Sequence, residues 1–255
     1  MYSLTHLRNL SYDHMKVTYG DLINYKAPYS LIKAIYYIEC ASLLLCVTQK
    51  FITRPNFVTL LYIFTGVLGS FLLNLDSKVG VCVGIFLVFN KGVFDWWDGR
   101  LARLLNKVSN KGGILDPYGA RVCDGAFRIS VLYYALVNNM DWMFLYPLAV
   151  FLVLVPNVRF YAKATTQTHG EDVFSTVAVA NFGWGENAEK WYRNYLCFLD
   201  GRARSVDAIL LLILIDVLSS YELDFMILVL ALMLVIRATV EFFINLFVFL
   251  VIEKH

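Results

Sequence analysis

The fold class that this sequence predicts is an all-α, polytopic membrane protein, with six transmembrane helices preceded by an N-terminal amphipathic helix at the bilayer interface. Of its 255 residues, 59% are hydrophobic and only 16% charged, with a mean hydropathy of +0.60. That is too apolar for a soluble domain of this length. Apolar runs near the ~20 residues needed to cross a bilayer recur in quick succession from Phe57 onward. Lysine and arginine crowd alternate connections: near Arg54, between Arg100 and Lys111, and between Arg159 and Arg204. The intervening ones, Asn74–Lys78, Asn138–Asp141 and Ser220–Asp224, hold only Lys78. The positive-inside rule then places both termini and the segment 163–205 in the cytoplasm. A formal net charge of +2 argues against nucleic acid as a partner.

Residues 1–30 are polar and rich in tyrosine, and read as an extramembrane arm without the pattern of a signal peptide. Leu31–Val47 is apolar but contains Lys33 and Glu39. It is read as a helix lying at the interface, with a spanning helix as the competing reading. Residues 1–54 thus form an arm and interfacial helix, and residues 55–255 a membrane domain. The expected spans are Phe57–Leu75, Val79 to about Leu105, Ile114–Val137, Asp141–Ala162, the shorter Val206–Ser219, and Leu223–Ile252. Asp116-Pro117 is expected to open the third, since proline suits a first helical turn, with Gly112-Gly113 as a flexible turn before it. The segment 163–205 is too long for a plain loop and is read as a cytoplasmic insertion whose run Ala188–Phe198 forms an interfacial helix. The five cysteines, Cys40, Cys46, Cys82, Cys123 and Cys197, lack metal or pairing spacing and read as small buried hydrophobes.

Chemistry concentrates between Asp95 and Asp124. Charge next to apolar runs costs roughly 2.5–3.5 kcal/mol per residue on insertion scales and is kept mainly for function. Asp95 and Asp98 stand three apart on one expected helix, so their carboxylates share a face, and Asp116 returns beside them on the next. Three convergent carboxylates call for positive charge between them, which a hard divalent cation with oxygen ligands supplies. Mg²⁺ suits this best, because it takes few protein carboxylates and completes its shell with water and phosphate oxygens. The competing reading pairs these aspartates with Arg100, Arg103, Arg121 and Lys107 as helix-end charges. Gly99 and Ala102 leave the helix surface open to a ligand, and Arg103 suits bidentate contact with a phosphate oxygen.

The motif D-x-x-D-G-x-x-A-R, eight residues, then G-x-x-x-D, appears at Asp95, Asp98, Gly99, Ala102, Arg103, Gly112 and Asp116 with every gap in register. It resembles the signature of the CDP-alcohol phosphotransferases, integral membrane enzymes of phospholipid synthesis. Pro55-Asn56-Phe57-Val58-Thr59 is similar to that family's P-N-x-x-T at its first span. The resemblance covers residues 55–160 and beyond them concerns architecture alone. It implies transfer of a substituted phosphate from a CDP-linked donor, CDP-diacylglycerol or a CDP-alcohol, to a small alcohol with release of CMP. By the same resemblance, Asp95, Asp98 and Asp116 hold two Mg²⁺ (or Mn²⁺) ions on the donor pyrophosphate. Gly99, Arg103 and Ser109, with Asn56 to Thr59, contact the CDP portion. The expected partners are the bilayer, the donor, an acceptor alcohol that carries a phosphate if Arg121, Arg159 and Lys163 line its pocket, and a second copy of the chain as a homodimer. Those three cations read equally well as positive-inside anchors.

The family's motif ends with an aspartate four residues after Asp116, where it serves as second-metal ligand and proposed base; this chain has Ala120 there. Three readings stay open: a substitution introduced into an otherwise intact motif, a natural residue with Asp124 taking part of the work, or a pseudoenzyme that binds a CDP compound without turnover. Each predicts low activity. Asp124 and Arg128 read as an i, i+4 pair, as do Arg237 and Glu241. Asp216 reads as facing a helix interface or cavity, not lipid. A transporter using Asp216, Arg128 and Arg237 competes as a different class, but needs none of the glycine, alanine and arginine spacings. A metal-dependent phosphatase or nucleotide-binding scaffold is the other.

Overall fold

A computed structural model describes residues 2–19, 28–52, 54–107, 110–137, 143–144, 146–147, 150, 203–219, 223–233, 236 and 239. Their regular structure is entirely helical: α1 (Leu4–Tyr19), α2 (Pro28–Thr48), α3 (Pro55–Leu72), α4 (Lys78–Leu104), α5 (Asn110–Val137), α6 (Ala203–Leu218) and α7 (Asp224–Met233). Most of the expected fourth and sixth spans and the 163–205 segment as far as residue 202 lie outside the described residues, as does the Arg237–Glu241 pair. The chain divides into two compact units, Met1–Phe127 and Arg128–His255.

Helices α3 and α4 are the two described helices long and apolar enough to cross a membrane, and they coincide with the first two expected spans. Arg54 is the N-cap of α3 and Pro55 stands in its first turn, where the missing N–H has no partner to lose. Ser77 caps α4, its side chain accepting from the Gly80 N–H at 3.3 Å. The other end of α4 closes with the Lys107 N–H on the Ala102 carbonyl at 2.9 Å and the Asn106 N–H on that of Arg103 at 3.1 Å. Asn106 takes φ of 49° there. This left-handed C-terminal cap turns the chain back toward α5 directly after Arg103.

The antiparallel pair α3 and α4 packs through glycine. A Cβ at Gly84 would stand 2.7 Å from the Gly69 carbonyl oxygen, and one at Gly69 would stand 2.9 Å from Leu87 Cβ and from Val88 Cγ2. Small residues at such a crossing let backbones approach where lipid offers no hydrophobic drive for association. On α5, a Cβ at Gly119 would meet Ile63 Cγ1 at 2.5 Å, which seats α5 against α3.

Two sequence expectations are corrected here. The polar arm contains a helix, α1, which runs antiparallel to α2. Tyr2 and Gln49 exchange hydrogen bonds at 3.0 and 3.1 Å, and Arg8 Nε meets Glu39 Oε2 at 2.7 Å. Composition hid this helix because its polar groups are satisfied by α2 and not by its own pattern. The second correction concerns Gly112-Gly113 and Asp116-Pro117, which lie inside α5 instead of before it or at its opening. The Pro117 ring forfeits only the bond to the Gly113 carbonyl, and a Cβ at Gly113 would find nothing within 4 Å. Helix α5 starts at Asn110, ahead of both pairs, so Pro117 falls in its second turn and removes one backbone bond there.

Helix α2 is a helix where one was expected. Its ionic residues find partners within the protein: Glu39 on α1, and Lys33 over the rings of Tyr37 and Phe89 at 5.3 and 5.0 Å. Ala34, Ile38, Ala41 and Leu45 bury one face, with the last two joining Leu7, Val58, Val93, Trp97 and Leu101 in the main core cluster. In the second unit, Val206, Ile209, Leu210 and Ile213 make the buried stripe of α6. Asp216 accepts from the Tyr134 hydroxyl at 2.7 Å and the Leu223 N–H at 3.1 Å, so this carboxylate faces a helix interface as its setting in the sequence predicts.

Gly84→Ala is expected to lower unfolding stability in detergent by about 1–3 kcal/mol, the usual cost of forcing atoms into a packed contact. Gly113→Ala, with open space at the same substitution, is expected to be neutral or to gain about 0.5–1 kcal/mol. Equal effects from the two would remove the Gly69–Gly84 crossing as the organising contact.

Candidate active site

The C-terminal half of α4 carries Asp95, Asp98, Gly99 and Arg103 on successive turns. Asp98 is buried, with 6% of its surface exposed, and the buried Thr59 hydroxyl of α3 donates to Asp98 Oδ2 at 2.6 Å. The two motif segments of the sequence, P-N-x-x-T and D-x-x-D-G, are therefore joined by one short charge-assisted bond. Asp116 enters from α5. It lies within electrostatic reach of both Asp95 and Asp98. Carboxylates at that range require positive charge or a proton between them.

Glycine 99 is open toward Arg103: a Cβ there would lie 3.6 Å from both Nη1 and Nη2 of the guanidinium. Arg103 is in turn attracted by Asp98. Asn56 is exposed in the first turn of α3, and Ala120 and Arg121 are exposed on α5. Asp124, one turn beyond Ala120, is half-buried. Ser109, Arg159 and Lys163 lie outside the described residues.

Three residues that the motif reading passed over belong to this neighbourhood. Tyr62, 4% exposed, lies within electrostatic reach of Asp95, Asp98 and Asp116 together. Lys91 acts on Asp95 from one turn earlier on α4. Arg100 is buried and donates from Nη1 to the Ile38 carbonyl at 3.0 Å and to Ser42 Oγ at 2.9 Å, which ties α4 to α2. Helical spacing gave a usable signal for two of them: Tyr62 follows Thr59 by three and Lys91 precedes Asp95 by four.

Among the described residues, no group of three or more His, Cys, Asp or Glu side chains closes at metal-binding distances. The donor set is nevertheless that of a hard cation: three carboxylates, no thiolate or imidazole, and one carboxylate already oriented by a hydroxyl. Mg²⁺ takes one or two protein carboxylates and fills its shell with water and phosphate oxygens. Asp95 and Asp116 therefore fit such an ion without a closed protein cage.

The family model for CDP-alcohol phosphatidyltransferase matches residues 52–182, half of the chain, and the protein belongs to that family. Two relatives, each bearing the name "Putative cardiolipin synthase", one from Mycobacterium bovis and one from Mycobacterium tuberculosis, are 28% identical over 97 residues. That match covers 38% of this chain and 44% of the relatives' own length. No solved structure matches the chain. Two described helices are long and apolar enough to cross a membrane by length and composition, in keeping with the family match.

Gly99→Ala is expected to leave the unfolding midpoint unchanged, because its Cβ meets Arg103 only at ordinary van der Waals distance, while weakening CMP binding at least several-fold. Unchanged CMP affinity would show that no ligand approaches the α4 backbone at this point.

Proposed function

We propose that this protein transfers a substituted phosphate from a CDP-linked donor, CDP-diacylglycerol or a CDP-alcohol, to a small alcohol, releasing CMP. The observation that carries the reading is the buried Thr59–Asp98 bond, which brings both family segments to one point beside Asp95 and Asp116. The fold around it would be six transmembrane helices with α2 lying at the interface, the active site and both termini facing the cytoplasm, and two copies assembling as a homodimer.

In the reaction, the acceptor hydroxyl oxygen attacks the donor phosphorus that carries the substituent. The bond from that phosphorus to the bridging oxygen breaks, and CMP leaves with the electron pair. Asp95, Asp98 and Asp116 would hold two Mg²⁺ (or Mn²⁺) ions, which supply charge neutralisation on the pyrophosphate when bound. Thr59 fixes the Asp98 carboxylate by donating its hydroxyl proton, so one oxygen stays directed at α3 and the other remains for a ligand. Asn56, Gly99, Arg103 and Ser109 would receive the CDP portion, with the open backbone at Gly99 giving clearance and the Arg103 guanidinium pairing with phosphate oxygens. Arg121, Arg159 and Lys163 would bind a phosphate on the acceptor. Holding two substrates in line supplies much of the rate in such a site.

The hydroxyl proton needs an acceptor, and the methyl of Ala120 cannot take it. Asp124 lies four residues, about 6 Å, farther along the helix, too far to replace a carboxylate at position 120 directly. This favours a second reading, in which the chain as it stands binds a CDP compound and turns it over slowly or not at all.

Calorimetric titration of CDP-diacylglycerol and of CMP, with and without Mg²⁺, into this chain and its Ala120→Asp variant tests both readings. It is followed by CMP release with a panel of alcohols. Donor binding by both forms is expected, with CMP release faster in Ala120→Asp by about 10²–10⁴-fold, the range of a positioned general base. Asp95→Asn is expected to abolish Mg²⁺-dependent CMP binding with helical content retained. Failure of both forms to bind any cytidine nucleotide would sink the transferase reading.

A further inference from the structure

We propose that the solvent-open cavity between α1, α2 and α4 is an anion subsite separate from the carboxylate cluster, and that it takes a single phosphate group. The cavity measures about 80 Å³ and is lined by Arg100, Arg103, His14 and Ser11 together with leucines of all three helices. That is several times the roughly 10–15 Å³ needed by one water. No carboxylate lines it. Arg100 falls at a position that the D-x-x-D-G-x-x-A-R motif leaves free, and His14 lies in the N-terminal arm, outside the motif altogether.

Arg100 makes the cavity electrostatically incomplete. Only 7% of it is exposed, its guanidinium lies over the Trp96 ring at 5.2 Å, and its hydrogen bonds from Nη1 go to the neutral Ile38 carbonyl and Ser42 hydroxyl. Its Nη2 is buried without a hydrogen-bond partner among the described residues, a costly state for a charged donor. Glu39, whose charge acts on Arg100, is engaged by Arg8 at 2.7 Å and by the Tyr12 hydroxyl at 2.9 Å. The Ser11 hydroxyl is also committed, donating to the Leu7 carbonyl at 2.6 Å. Two guanidiniums thus share one cavity with an imidazole and no carboxylate in its lining, Asp98 attracting Arg103 from outside it, and a phosphate satisfies guanidinium donors in pairs.

His14 reports on this charge. Burial, then the Arg103 guanidinium, then that of Arg100 push its imidazole below the ordinary range. An anion between them would reverse that effect. The leucine walls suit a phosphate attached to an apolar body, so both a lipid headgroup and free phosphate satisfy the same chemistry. The assignment stands on the cavity's own residues and does not rest on the transfer reaction.

The test is the titration of the His14 imidazole by NMR in the full chain, assigned with His14→Gln, in a phosphate-free maltoside detergent. Inorganic phosphate is added at ionic strength held constant with chloride. A rise of about one unit in the His14 pKa is expected, the size of a nearby opposite charge, and its loss in Arg100→Gln. Because Arg100 also ties α4 to α2, Arg103→Gln serves as a second variant that keeps the bonds to Ile38 and Ser42. Its helical content and unfolding midpoint are expected to match the parent while the phosphate response falls. Nanodiscs of phosphatidylcholine with and without phosphatidic acid separate the sources. A rise with phosphatidic acid alone identifies a lipid headgroup, and a rise only on adding phosphate identifies a soluble ligand. No rise in any arm overturns the subsite, and so does a phosphate response that CMP with Mg²⁺ abolishes, since the anion would then sit in the donor site. Mg²⁺-dependent CMP binding that persists while His14 stays silent would leave the transferase reading standing without the subsite.

Discussion

A carboxylate taken out of water beside apolar helices needs hydrogen bonds, and the site depends on how Asp98 obtains its own. The Thr59 hydroxyl supplies one at 2.6 Å, from a helix whose N-terminus is set by Pro55 and whose far end crosses α4 at glycine. Without it, Asp98 would have to neutralise or turn outward. In either case the acidic face of α4 would no longer be fixed relative to α3. Asp116 and Asp95 then add negative charge beside a group already held in place.

Much of this was legible in the sequence. The helical class followed from long apolar runs, and α3 and α4 follow the expected boundaries because proline at 55 and serine at 77 are strong local start signals. The three aspartates stood out because charged groups at fixed spacing contrast with their apolar surroundings, while Thr59 came from the resemblance of Pro55–Thr59 to a family segment. The start of α5 was misplaced because Gly-Gly and Asp-Pro are turn signals locally, whereas the helix begins ahead of both, at Asn110. Helix α1 was missed because it is stabilised by partners on α2, which no local pattern reveals. Tyr62 and Arg100 escaped because each looks like an ordinary core or helix-end residue until its neighbours are known.

Arg100 and Ala120 represent opposite departures from local consistency. Arg100 is a cation buried further than its hydrogen bonds justify, and Ala120 is an apolar residue exposed where the family's chemistry asks for a carboxylate. Sequences that specify a fold are consistent at most positions and break the pattern where function intervenes. One departure lies beside the carboxylates, on α5. The other lies on the opposite flank of Arg103, where α1 and α2 cover α4.

The glycine crossing and the Thr59–Asp98 bond also have a mechanical meaning. On α3 they are separated by ten residues, about 15 Å, and on α4 by fourteen, about 21 Å. Two anchored points on each helix forbid sliding and splaying but still allow a slight roll about the line that joins them. Asp95 stands one turn along α4 from Asp98 on the same face, so any such roll would carry the two carboxylates together. The acidic face of α4 then shifts as one piece against α3, its direction set by the bond to Thr59.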